Sequence, residues 1–371
     1  MHYSQYRPWL GRLSVAVALV TALGMDGAVA SDVPRQGNLF EQPALQSNLA
    51  VRSLMLSLAQ AGERLVAVGE RGFILISEDH GATWQQVDSP VSVTLTRVRF
   101  ATASDGWAVG HAGVVLHSGD GGRTWSRQLD GVQAAQLALG AAQAESGEDA
   151  EDRLAEAQRL VDDGPDKPFL NLHFFDAQRG IVVGAYGLAF ATDDGGKSWK
   201  SISARLDNPS ALHLYDILEL DGSLFIAGEQ GLMLRSSDGG ASFQTLESPA
   251  SGTLFGMVAT GPSSLVAYGL RGKAYRTEDL GATWQPLPNH QSATLTAGTR
   301  LSSGELVLAD ETGTILLSRD DGRTFQMLPI PESGFLSGIS ELPDGQFAVS
   351  TTHGVIRIAN RDLNRSTARE Q

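Results

Sequence analysis

Short apolar stretches of four to six residues alternate along this chain with clusters of Gly, Asp, Ser and Thr, a pattern that predicts short strands joined by tight turns. In one representative stretch the strands are expected at 95–100, 106–109, 114–117 and 124–127, the first three the most apolar, as suits a sheet packed between two others. The four-strand unit repeats. A Gly-x-x-Gly frame joining the second and third strands stands complete at Gly69–Gly72, Gly110–Gly113, Gly184–Gly187, Gly228–Gly231 and Gly269–Gly272, and only its second glycine survives at Gly313 and Gly354. The second glycines step by 41, 74, 44, 41, 41 and 41 residues, the period of one four-stranded blade. Seven such units predict an all-β, seven-bladed β-propeller.

At a fixed distance after six of the seven frames comes a Ser/Thr-x-Asp-x-Gly-x-Thr/Ser-aromatic box, with its aspartate at Asp79, Asp120, Asp194, Asp238, Asp279 and Asp320. These Asp boxes are read as structural: a carboxylate that accepts from its own turn, a glycine that permits positive φ, and an aromatic that packs between sheets. The seventh repeat has Arg361 in place of the aspartate and lacks an outer strand. Phe40 precedes Leu54 by the same 14 residues that separate Trp84 from Val98, so the segment 40–49 is expected to close the ring as the outermost strand of blade seven.

The 74-residue step marks an insertion at 132–163, between blades two and three, whose Ala, Gln, Glu and Leu content predicts two helices broken near 145–148. Leu154, Ala157, Leu160 and Val161 would form the apolar stripe of the second helix. Two readings stay open for this acidic insertion: a solvated hairpin folded on the rim, or a docking arm or lid.

Residues 1–30 have the form of a secretory signal peptide, with Arg7 and Arg12 before an apolar stretch and Ala28-Val-Ala30 as the cleavage site. Residues 31–371 would then be a periplasmic or secreted propeller, with no further segment approaching a membrane span. The absence of cysteine removes both a disulfide framework and a lipid-modified cysteine from consideration. Losing Arg7, Arg12 and Asp26 with the leader takes the formal charge from −14 to −15, which disfavours nucleic acid as a partner.

The loops that carry function are expected on the face holding the glycine frames, which is also the face of the insertion. Residues enclosed by the frames vary from blade to blade while the frames do not. Glu70, Arg71, His111, Tyr186, Glu229, Gln230, Arg271, Glu311 and His353 are therefore the candidate partner-binding residues. No catalytic residue, metal site or cofactor is expected: there is no phosphate loop, dinucleotide fingerprint or nucleophile elbow, and His111 and His353 lack a third ligand. The alternative is a glycan-binding or glycoside-hydrolysing propeller, because sialidases also carry Asp boxes, although this chain has no Arg-Ile-Pro motif and only two arginines in its frames.

With its leader, its seven frames, the hexads Val68-Gly-Glu-Arg-Gly-Phe73 and Val109-Gly-His-Ala-Gly-Val114, and boxes such as Ser118-Gly-Asp-Gly-Gly-Arg-Thr-Trp125, the chain resembles the photosystem II stability and assembly factor family. The resemblance covers nearly all of the mature chain apart from the insertion. It implies an exported, non-catalytic scaffold, of the kind that non-photosynthetic bacteria also carry, that binds a protein partner, a membrane protein or membrane complex. The family's lipid-anchoring cysteine is missing here, and of its basic patch only Arg71 and Arg271 stand at comparable positions.

Overall fold

A computed structural model describes residues 40–147, 149–288, 292–330 and 334–358. The leader and its cleavage site lie outside the described residues. Seven antiparallel sheets, each built from consecutive strands, span 55–87, 95–129, 169–201, 214–245, 254–286, 295–329 and 336–358. Six have four strands and the seventh has three among the described residues. The second strand of every blade is buried along its length, so its residues read as apolar runs without alternation. Apolar clusters fill the spaces between neighbouring blades. One of them, with Met55, Leu58, Leu342 and Ala348, joins blade seven to blade one.

The first glycine of a complete frame pairs with the first residue of its inner strand, as Gly110 does with Leu95. A Cβ on Gly69 would lie 2.0 Å from the carbonyl oxygen of Leu54, so nothing larger than glycine fits where the second strand turns over the inner one. The inner strand of each blade carries a bulge just after its first residue. The bulged residues are Leu56, Thr96, Leu170, Tyr215, Phe255, Thr296 and Ser337. Where the bulged residue has a hydroxyl, it fastens one blade to the next: Thr96 Oγ1 donates to Phe169 O at 2.8 Å, Thr296 Oγ1 to Leu336 O, and Ser337 Oγ to Met55 O at 2.6 Å.

The segment 40–49 does not form the fourth strand of blade seven. It crosses the outer edge of blade one instead, where Ala44 N donates to Ser89 O at 3.1 Å, Ser47 N to Gln86 Oε1 at 2.9 Å and Gln46 Nε2 to Asp88 Oδ1 at 2.7 Å. Phe40 is buried with the apolar cluster between blades one and two, under the guanidinium of Arg127, whose Nη1 also donates to Phe40 O at 2.7 Å. Ala44, Ala50 and Val51 pack in the cluster between blades seven and one. The chain thus enters as a strap across blade one. Pro43 lacks the N–H that a ladder position needs, while the side chains of Gln86 and Asp88 offer irregular partners to a segment rich in Gln and Ser.

The insertion forms helix α1, Gly131–Gln143, and helix α2, Ala150–Asp163. Asp130 and Gln133 close a capping box at the start of α1, the Asp130 carboxylate accepting from Gln133 N at 3.0 Å and Gln133 Oε1 accepting from Asp130 N. On α2, Ala157 is buried and Leu160 and Val161 are half-buried, but Leu154 is exposed.

All six Asp boxes have the same hydrogen bonds. In the first, Asp79 Oδ1 accepts from Ser77 Oγ and Thr83 N, each at 2.8 Å, Oδ2 accepts from Thr83 Oγ1 at 2.6 Å, and Ser77 Oγ accepts from Gly81 N at 2.8 Å. The hydroxyl four residues on is the main cause that draws Asp79, Asp194, Asp279 and Asp320 from 3.8 to about 2. At Asp120 burial opposes the lowering, yet the hydroxyls of Thr124 and Ser118 still bring it to about 2. Ser242 and Ser236 lower Asp238 in the same way. Because the folded pKa lies below the unfolded one, this contribution is complete above about pH 4 and is lost as pH falls toward about 2. The urea midpoint should stay level from about pH 7 to 5 and then drop, and the drop should be shallower in Asp79→Asn/Asp279→Asn. An equal drop in that variant would assign acid sensitivity to other groups.

Candidate functional site

The residues enclosed by the frames divide into two kinds. At the first enclosed position, Glu70, Glu229 and Glu311 turn back and accept from the backbone N–H just before their own blade's inner strand: Leu54 N at 3.1 Å, His213 N at 3.3 Å and Thr294 N at 2.9 Å. These three carboxylates secure the entry of the chain into blades one, four and six. Their position alone makes them candidate partner-binding residues; the backbone N–H that each engages lies 16 or 17 residues upstream. Asp310, which replaces the first glycine in blade six, closes its own turn instead, its Oδ1 accepting from Thr312 N and Thr314 N at 2.8 and 2.9 Å.

At the second enclosed position the backbone is left-handed, and Arg71, Tyr186, Gln230 and Arg271 have φ of 54°, 56°, 55° and 55°. This geometry lifts their side chains off the blade, and all four are exposed, as are His111 and His353. His353 Nδ1 lies 3.0 Å from Thr352 Oγ1. Apart from Glu70 beside Arg71 and Glu229 beside Gln230, each candidate stands on a blade of its own. The exposed residues are spread round the face, and among the described residues no group of three metal-binding side chains occurs.

One candidate, Tyr186, belongs to a larger arrangement. Its ring centroid lies 4.8 Å from that of His213; His213 lies 6.3 Å from Tyr215, and Tyr215 lies 5.0 Å from Phe255 in an edge-to-face contact. Lys167 sits over the outer end of this ladder, its Nζ 5.2 Å from the Tyr186 centroid. The ladder runs from the frame of blade three, past the entry of blade four, to the bulges of blades four and five. Tyr215 and Phe255 occupy the position where Thr96, Thr296 and Ser337 bind neighbouring blades. Aromatic rings there leave an apolar, half-exposed surface with polar tips. Burial and then Glu229 raise the Tyr215 pKa, so its hydroxyl stays protonated and able to donate. His213, Tyr215 and Phe255 were not among the candidates from sequence. The available signal was register: each bulge residue stands 13 or 14 residues before the first frame position.

Deeper in the channel, Asp216 binds four blades together. It is almost fully buried and accepts from Asn171 Nδ2 at 2.6 Å, Met257 N at 2.7 Å and Ile217 N at 3.0 Å, with Arg99 Nη2 at 3.4 Å and Arg97 Nη2 at 3.9 Å. Burial and the neighbouring Arg97 charge lower the Arg99 pKa, and burial followed by the Asp216 charge raises that of Tyr268. Beside them His173 Nε2 pairs with Glu219 Oε2 at 3.1 Å, while burial and then Arg99 hold the imidazole below its ordinary range. Every carboxylate in this cluster has a close cationic or imidazole partner. The arrangement is a fastening between inner strands.

Residues 40–149 and 155–327 match the family described as the photosynthesis system II assembly factor YCF48. Over 78 residues, 21% of this chain, there is 35% identity to the photosystem II assembly lipoprotein Ycf48 of Synechococcus sp. (strain CC9902), and the matched stretch spans 23% of that relative. Among solved structures, YCF48 bound to D1 peptide aligns at a TM-score of 0.61 with 19% identity, covering 85% of this chain and 99% of that one. YCF48 from Cyanidioschyzon merolae aligns at 0.60 with 15% identity, covering 86% and 99%. The WD40 propeller domain of Doa1 aligns almost as well, at 0.59 with 10% identity over 87% and 97%. Likeness at these identities therefore speaks to the fold alone.

Proposed function

Because this chain belongs to the photosystem II assembly factor YCF48 family, we propose that it is an exported, non-catalytic assembly or stability factor that holds a protein segment of a membrane complex against its loop-rich face. The carrying observation is the ladder of Tyr186, His213, Tyr215 and Phe255 at the channel mouth. Rigid aromatics with polar tips supply binding area at low entropic cost and dominate protein-recognition surfaces. Arg71, Gln230, Arg271, His111 and His353 then form a polar rim spread over several blades, which suits a broad protein surface better than a small-molecule pocket. One family member has been solved with a D1 peptide; the partner proposed here is of that general kind, a segment of a membrane protein. No helix among the described residues is long and apolar enough to cross a membrane.

The glycosidase alternative needs paired carboxylates in one pocket. Glu70, Glu229 and Glu311 are each engaged by a backbone N–H on a different blade, which supports binding over catalysis. Crosslinking and affinity purification of the tagged chain from its native cells should recover a membrane complex. Tyr186→Ala/Tyr215→Ala/Phe255→Ala should lose about tenfold or more of that recovery while keeping its melting temperature. No recovery by the unaltered chain, together with retention on a glycan array, would replace this reading with the carbohydrate one.

A further inference from the structure

Helices α1 and α2 pack on blade three through Ala134, Ala138 and Leu160. They enclose, with the segment linking blades three and four, a groove of about 620 Å³. Its floor holds the nearly buried Ala142, Ala157, Leu188, Leu206 and Phe243, and the apolar surface left accessible belongs to half-buried Leu160 and exposed Pro209 and Tyr186. Its rim is charged and unbalanced: lining carboxylates outnumber basic side chains six to four. Two of the four bases are already neutralised within the protein. Arg153 is held by Glu145 and by Asp149 at 3.4 Å, and Lys167 by Asp166 and by Asp163 at 3.2 Å. Arg205, whose Nη1 donates to the carbonyl of Gly240 at 3.3 Å, and Arg159 keep their charges, so the excess of carboxylates over bases on the lining is two. Asp152 and Glu156 on α2 and Asp207 opposite have no ion-pair partner among the described residues. Tyr186 lines the groove and also begins the aromatic ladder, so the two surfaces are continuous.

We propose that this groove binds a positively charged segment of a partner polypeptide that carries apolar side chains, a proposal that rests on the assembly-factor reading. The apolar residues of that segment meet Leu160, Pro209 and Tyr186, and its Lys or Arg side chains meet Asp152, Glu156 and Asp207. A volume of this size accommodates several side chains, and the exposed carboxylates on its rim attract cations in a salt-dependent way. An acidic segment or a nucleic acid meets repulsion from the same carboxylates. In this arrangement the insertion selects its partner by charge, and the mouth ladder supplies area.

The test uses the full chain and labelled synthetic peptides read by fluorescence anisotropy: one alternating leucine and lysine, one leucine and glutamate, and one serine and lysine. The leucine–lysine peptide should bind, the other two at least about tenfold more weakly, with affinity falling as salt is raised. Asp152→Lys/Glu156→Lys should weaken leucine–lysine binding by about tenfold, whereas Glu63→Lys/Asp193→Lys, which changes the net charge equally elsewhere, should leave it unaltered. Both pairs of positions are exposed, and melting curves verify that folding is retained. Equal weakening by the two variants, equal binding of the serine–lysine peptide, or no binding of the leucine–lysine peptide would overturn the proposal. Membrane-complex recovery by the unaltered chain is scored separately. If it persists when the groove test fails, only the groove assignment falls; if it is absent, the assembly-factor reading falls with it.

Discussion

Asp216→Ala is expected to lower stability by about 3–5 kcal/mol, one of the two largest single-residue effects in this protein. The substitution removes the carboxylate that faces Arg97 and Arg99 and leaves the Met257 N–H, now 2.7 Å from Asp216 Oδ2, without its acceptor inside the ring. Two like charges on one strand would remain side by side with nothing between them. The inner strands of blades two to five meet at this residue, so the loss should spread over all of them. Urea unfolding followed by tryptophan fluorescence would measure it. Asp216→Leu/Arg99→Met should regain part of the loss by removing a charge along with its partner. An unchanged midpoint in Asp216→Ala would mean that channel water already solvates the guanidinium groups.

The second large effect concerns a frame glycine. Gly72 has φ +71° and a Cβ there would stand 1.9 Å from the carbonyl oxygen of Val91, a backbone atom that cannot rotate away. Gly222 has nearly the same φ, +70°, but nothing lies within 4 Å of its would-be Cβ. Alanine at 222 should therefore cost only the left-handed backbone penalty of about 1–2 kcal/mol. Alanine at 72 adds displacement of the chain that leads into blade two and should cost about 4 kcal/mol or prevent folding. Comparing the two melting curves isolates close approach from φ. Equal losses would show that the link near Val91 yields freely.

The contrast between those glycines explains what a linear reading can recover. A frame glycine is required by the turn and by the chain it crosses, the inner strand of its own blade for the first glycine and the link to a neighbouring blade for Gly72, and that requirement recurs with the blade. Each Asp box is likewise a closed circuit of hydrogen bonds within about eight residues, so its composition repeats wherever its geometry does. Glu70, Glu229 and Glu311 were visible as frame residues, but their roles depend on a backbone N–H 16 or 17 residues upstream, at the entry to the inner strand.

Phe40 marks the limit of spacing arguments. Its distance from Leu54 matched that of Trp84 from Val98, yet the segment after it follows the partners available on Gln86, Asp88 and Ser89 of blade one. Equal spacing describes chain length; the strand edge it meets is a property of the ring. The aromatic ladder is the functional counterpart. Tyr186, His213, Tyr215 and Phe255 span 70 positions of sequence with no motif between them, and only the packing of blades three, four and five places their rings within reach.

Blade number, turn chemistry and the helical character of the insertion were thus present in the amino-acid order, because short-range sterics and hydrogen bonding repeat with the blade. The strap across blade one, the Asp216 fastening, the ladder and the groove beneath the helices came from the closed ring alone. Each depends on side chains far apart in the chain whose meeting is set by how whole sheets pack, and packing of that range leaves no periodic trace in the residues it unites.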